Sequence, residues 1–249
     1  MQKSIFLKKL GLCALSAALC ASAFASCGKD DGGDGSDGNK IDENTDVASV
    51  ESEQVADQTA WEAAFDVTKF TNFSMKTEET QTLNSKTTQD TLIFMFTGDK
   101  AYHSDRTKNS EGKTDRDDVY LAKTNEVWSA YGISYANGEI VHEGACDMNN
   151  GGEYDDMIMG GVGTMTLTQI GSIPFESFSY SEEKKGYVYA VEGEGEAVVK
   201  IVNGLFVGYT MSGATGEGEE RRTMEMSTLF YNVGSTVITL PEKMTMPAA

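Results

Sequence analysis

Three prolines, two histidines, four cysteines and 20 basic side chains against 39 acidic ones are what this chain of 249 residues is short of. Each shortage removes an explanation. Two histidines, His103 and His142, cannot supply a three-histidine metal site, and His142-Glu143 lacks the second histidine of a zinc-protease helix. No Gly-x-Ser-x-Gly elbow occurs, and Gly161-Val162-Gly163 is followed by no third glycine at phosphate-loop spacing. Adjacent acids such as Asp117-Asp118 and Glu182-Glu183 point apart on strands or turns, whereas glycosidase chemistry needs facing carboxylates. The expectation is a protein that is not an enzyme and has no metal site and no cofactor. The acid excess repels polyanions, so no nucleic-acid partner is expected. Cysteines are scarce where a core would need them: Cys13, Cys20 and Cys27 lie at the start, leaving Cys146 alone as a small apolar candidate for the interior.

What is present at the start is a basic opening (Lys3, Lys8, Lys9), an apolar run from Leu10 to Phe24, and then Ala25-Ser26-Cys27. The run is shorter than the ~20 residues of a membrane span, and the order of parts is that of a signal peptide. Phe24-Ala25-Ser26-Cys27 resembles the lipobox of bacterial lipoproteins, with Phe24 where leucine is usual. The resemblance implies that Cys27 receives the lipid, that residues 1–26 are a signal peptide, and that the protein is anchored to the cell membrane on its extracytoplasmic face. Removing residues 1–26, with three lysines and no acid, leaves a mature charge of about −22. Such a surface is soluble and attracts cations or basic partners.

Gly28-Lys29-Asp30-Asp31-Gly32-Gly33-Asp34-Gly35 and the polar residues after it have little to bury. Such composition cannot offset its ordering entropy, so residues 27–58 are expected to form a disordered acidic tether. Residues 59–249 are long enough for one domain with a sizeable core.

Thr59-Ala60-Trp61-Glu62 has the pattern of a capping box, and Trp61, Ala64 and Phe65 share a helical face, predicting a short helix over 59–66. From Thr71 onward the pattern alternates, predicting strands over 71–82, 91–96, 100–107, 119–123, 127–136 and 140–144. Asn137-Gly138 and Asn203-Gly204 are two-residue hairpin signals. Residues 108–117 read as a loop. The polar stretch 147–156 offers oxygen donors, but Ile158 stands where a calcium loop needs its closing glutamate. Residues 157–170 place Ile158, Val162, Met165 and Ile170 on one side of a glycine-weakened helix. Strands follow over 175–181, 187–191, 198–202, 205–209, 221–231 and 236–240. The expected fold is α+β, mainly antiparallel: a single curved half-barrel sheet of about eleven strands, with a short N-terminal helix and a mid-chain helix covering its concave face.

Trp61-Glu62-Ala63-Ala64-Phe65, Asn72-Phe73-Ser74 and the closing stretch from Phe230 to Pro241 resemble a broad group of uncharacterised lipoproteins of Gram-positive bacteria. More distantly, the meander with a mid-chain helix resembles the half-barrel of lipoprotein carriers and mycobacterial lipid-carrying lipoproteins. That resemblance implies an apolar cavity under the helix. Met157, Ile158, Val162 and Met165 are then the candidate contacts for a hydrophobic small molecule or lipid, since flexible thioethers suit an irregular apolar ligand. The competing expectation is an interaction module for a protein or envelope polymer. A cavity beneath the helix favours the first and a filled core the second.

Overall fold

Two-residue turns set the folding pattern. In the computed structural model, which describes residues 41–125, 127–146, 162–191, 195–216 and 221–244, Asn137-Gly138 and Asn203-Gly204 both have positive φ at each position, as a type I′ hairpin requires. Asn84-Ser85 does the same, with φ of 52° and 60°. Serine hides that turn in the sequence, and the strand expected to start at Thr91 therefore starts at Lys86.

The strands are β1 (Phe73–Leu83), β2 (Lys86–Phe96), β3 (Lys100–Lys108), β4 (Thr114–Thr124), β5 (Val127–Ala136), β6 (Glu139–Cys146), β7 (Ser179–Ser181), β8 (Gly186–Val191), β9 (Gly195–Val202), β10 (Leu205–Thr215) and β11 (Arg222–Tyr231). They form one open, curved antiparallel sheet in the order β6-β5-β4-β3-β2-β1-β11-β10-β9-β8-β7. Two meanders thus meet where the first and last strands pair, Ser74 opposite Tyr231 through Leu83 opposite Arg222. The half-barrel and its eleven strands are as expected. The loop expected over 108–117 is shorter, because β3 runs to Lys108 and β4 begins at Thr114.

Helix α1 (Gln58–Ala64) and helix α2 (Val162–Gly171) lie on the concave, inner face. Asp57, not Thr59, caps α1 by accepting from the Ala60 amide at 3.0 Å, while Glu62 accepts from the Gln58 side-chain amide at 2.8 Å. The expected capping box is displaced because Asp57 reaches the free amides first. Residues 157–161 of the second expected helix lie outside the described residues. Gly171 ends α2 against Phe65: a β carbon there would stand 2.8 Å from the Phe65 β carbon, so only glycine permits this approach.

The core is a chain of rings. Phe73 stacks on Phe230 at 5.5 Å, Phe230 meets Phe206 at 5.4 Å, Phe206 meets Phe65 at 4.9 Å, and Phe65 meets Trp61 at 4.9 Å. Such pairs add to the area that aromatic burial removes from water.

Two segments correct the sequence reading. The tether expected to reach residue 58 gives way to packed chain by Val47, which is 1% exposed. Ser52 donates its amide to the Lys185 carbonyl at 3.0 Å, and Glu53 donates its amide to the Ile201 carbonyl at 2.8 Å. This strap leads from the outer face, where Val47 packs with Leu229 and Tyr231, to Val55 at the edge of the inner core. A few apolar residues in a polar stretch suffice because the sheet end offers partners for its backbone. Thr236–Leu240, expected as a strand, forms none: β1 and β10 already occupy both edges of β11. The segment instead packs on the outer face, where the Asn72 side chain accepts from the Thr236 amide at 2.8 Å and Ile238 and Met244 are buried.

Candidate functional site

The inner face has two parts. Beneath the helices it is closed by the ring chain, to which Phe178 and Tyr187 add, 4.5 and 5.4 Å from Trp61. Leu167, 1% exposed, is the α2 side chain that enters this core, with Ile170 packed beside it. Among the candidate contacts, Met157 and Ile158 lie outside the described residues, and so does Cys27. Val162 and Met165 belong to α2, with side chains outside the description. Cys146 ends β6 opposite Ala130, its side chain likewise outside the description. The sequence reading passed over Leu167, although it lies five residues beyond Val162 on the same short helix. A broad, open groove of about 420 Å³ runs between α1 and α2, its apolar wall made by Phe65, Val67 and Leu167 and its rim by Glu62 and Asp66. Thr68 donates hydrogen bonds to Asp66 from side chain and backbone, which holds that carboxyl below its ordinary value.

Further along the strands the inner face is mostly half-buried and mixes thioethers with polar side chains. Its rows follow from register. Thr77 and Thr228 sit opposite one another and share a hydrogen bond of 3.0 Å, with Tyr209 next in the row. The next row is Glu79, Met226, Met211, and the one after it Gln81, Met224, Gly213. The Tyr209 hydroxyl donates to the Met226 sulfur at 3.8 Å, and the Gln81 side-chain amide donates to Glu79. Alternation of Met224 and Met226 was visible in the sequence; their meeting with Met211 and Glu79 needed the strand pairing.

His103 is on β3 and His142 on β6, with β4 and β5 between them, so the structure does not bring them together. His103 has Ala101 and Asp105 beside it on its own strand face and Phe94 and Val119 opposite it. Burial lowers its pKa, against the pull of Asp105, Asp118 and Asp117. None of those four neighbouring positions is a serine, cysteine or lysine that the imidazole could activate. Among the described residues, no group of three or more His, Cys, Asp or Glu side chains could hold a metal ion.

On the outer face, a polar network on β3, β4 and β5 lies under partial cover. Asp118, 4% exposed, accepts from the Tyr102 hydroxyl at 3.2 Å and pairs with Arg116 at 3.3 Å, and the Arg116 guanidinium stands 3.7 Å above the Tyr135 ring. Tyr120, its ring 4.8 Å from Tyr102, has its phenol pushed up to about 12, chiefly by burial. These contacts satisfy the buried carboxylate and lock three strands together. No helix among the described residues is long and apolar enough to cross a membrane. No protein-family model matches the chain, and no curated protein is similar to it.

Proposed function

We propose that this protein is a lipid-anchored extracytoplasmic module, without catalytic activity, that engages a protein or envelope-polymer partner with the surface of its half-barrel. The observation that carries the choice over a lipid carrier is the filled core: Trp61, Phe65, Phe206, Phe230 and Leu167 are each 5% exposed or less and occupy the space where an acyl chain would lie. Among the described residues, an acyl chain could enter between these rings only at the cost of burial that stabilises the fold. The anchor part of the reading rests on Cys27 and the apolar run before it. The excess of acids supports a basic or cationic partner, and the surface position of the groove between α1 and α2 supports contact rather than enclosure.

The reading is tested by mass spectrometry of organic extracts of the purified protein together with titration of a fluorescent fatty acid. No co-purified lipid and no saturable uptake are expected. One molar equivalent of either would overturn the module reading and restore the carrier.

A further inference from the structure

Three methionines meet on one face of two adjacent strands. Met211 of β10 lies directly opposite Met226 of β11, and Met224 is the next residue of β11 on that face. Directly opposed residues hold their β carbons about 4.5–5.5 Å apart, and successive residues of one strand face are about 7 Å apart. A methionine side chain has three rotatable bonds, so three thioethers at these positions reach a common point. All three are half-buried, unlike Met75 on the same inner face, which is fully buried in the core. Beside Met224 stands Gly213, where a β carbon would touch nothing closer than the Gly195 α carbon at 3.9 Å. The row across β1 adds a carboxylate: Glu79 faces Met226 directly and is held by the Gln81 amide.

We propose that Met211, Met224 and Met226 form a binding site for a soft monovalent cation, Cu(I), with Glu79 supplying the adjacent negative charge. Neutral thioethers favour Cu(I) over hard ions such as Mg²⁺ or Ca²⁺, which require oxygen donors. The thioethers alone leave the ion's charge uncompensated, and Glu79 in the same row neutralises it. The Tyr209 hydroxyl, which donates to the Met226 sulfur at 3.8 Å, engages one lone pair and leaves the other for the metal. The chain's net charge of −19 raises the local concentration of any cation. Binding involves no electron transfer and no bond cleavage.

The test uses the full chain with its thiols alkylated by iodoacetamide, carbon-13 labelled at the methionine methyls, and Ag(I) as a redox-stable stand-in for Cu(I). The methyl signals of Met211, Met224 and Met226, assigned from single Met→Leu variants, are expected to shift together and saturate at one equivalent. The triple variant M211L/M224L/M226L, conservative in volume, is expected to bind that equivalent at least about tenfold more weakly, as is anaerobic Cu(I) measured by competition with a chromogenic chelator. Signals of these three methyls that stay still while silver binds elsewhere would overturn the proposal. So would a triple variant of native circular dichroism that binds the first equivalent as well as the parent. The methyl shifts are read on the parent chain and decide the matter even where the triple variant does not fold.

Discussion

The ammonium of Lys200 donates to the carbonyl oxygen of Val50 at 2.8 Å, joining a cation on β9 to the strap that leads into the domain. Three further carbonyls complete its surroundings: Lys184 at 2.6 Å, Lys185 at 3.0 Å and Ala48 at 3.4 Å. Lys200 is 0% exposed. One buried side chain therefore ties the strap, the β7–β8 turn and the sheet together: it gives the carbonyls of Val50, Lys184 and Ala48 a donor and shares that of Lys185 with the Ser52 amide.

Lys200→Met retains most of the side-chain volume and removes the donor. Loss of at least about 2 kcal/mol of unfolding free energy is expected, since each buried carbonyl left without a donor costs about 1–3 kcal/mol. Urea denaturation measures it, and a change within experimental error would show that the strap is held by other contacts.

The same lysine has a pH signature. Burial, helped by the Lys185 charge and opposed by Asp46, holds its pKa below the ordinary 10.5. Between the folded and unfolded values the unfolded chain binds more protons, so the contribution of this site to stability rises with pH. It is fully present above the unfolded value and lost as pH falls through the folded one. The stability of the parent relative to Lys200→Met should therefore increase as pH is raised through the alkaline range to 10.5. The raised phenols of Tyr102, Tyr120 and Tyr231 are common to both proteins and cancel. A difference that is flat or falls with pH would contradict the assignment.

Gly208 marks the bulge in β10, with φ of 155° and room for no β carbon: one would stand 2.2 Å from the Thr228 carbonyl oxygen. Gly208→Ala should destabilise by about 2 kcal/mol or more, through both backbone strain and displacement of β11. Thermal unfolding checks this; an unchanged midpoint would mean that the bulge relaxes freely.

At the β9–β10 hairpin, Glu53 of the strap accepts hydrogen bonds from the Asn203 and Gly204 amides at 3.0 and 2.6 Å. Gly204 has φ of 68°, so Gly204→Val should cost about 1 kcal/mol or more. Glu53→Ala, which leaves the turn conformation itself permitted, should cost less in stability but increase amide exchange at Asn203 and Gly204. Equal protection of those amides in the parent and the alanine variant would remove the strap from the account of this hairpin.

On the proposed anchoring, Cys27→Ala should abolish incorporation of labelled palmitate, because the thiol of Cys27 would be the acceptor. Label that persists in the variant would refute the anchor.

Most of the sheet was legible because each strand carries its own evidence. Phe73 and Met75 alternate with Ser74 and Lys76, and Asn-Gly pairs mark two of the hairpins within a few residues. Asn84-Ser85 escaped notice because serine has no special tolerance of positive φ that a reader can use. Residues 236–240 misled for a different reason. Their apolar alternation is real, yet a strand also needs a free edge, and β11 has none.

The sequence by itself determined the periodic elements, the aromatic face of α1 and the class of fold, since backbone preference and side-chain alternation act over a few neighbouring residues. Tertiary structure alone decided that β1 closes on β11, that a polar strap is held by Lys200, and that Glu79, Met211, Met224 and Met226 share one patch. Those relationships join positions up to 157 residues apart, from Ser74 to Tyr231. Their energy arises only when the strands pair, and no local pattern encodes it.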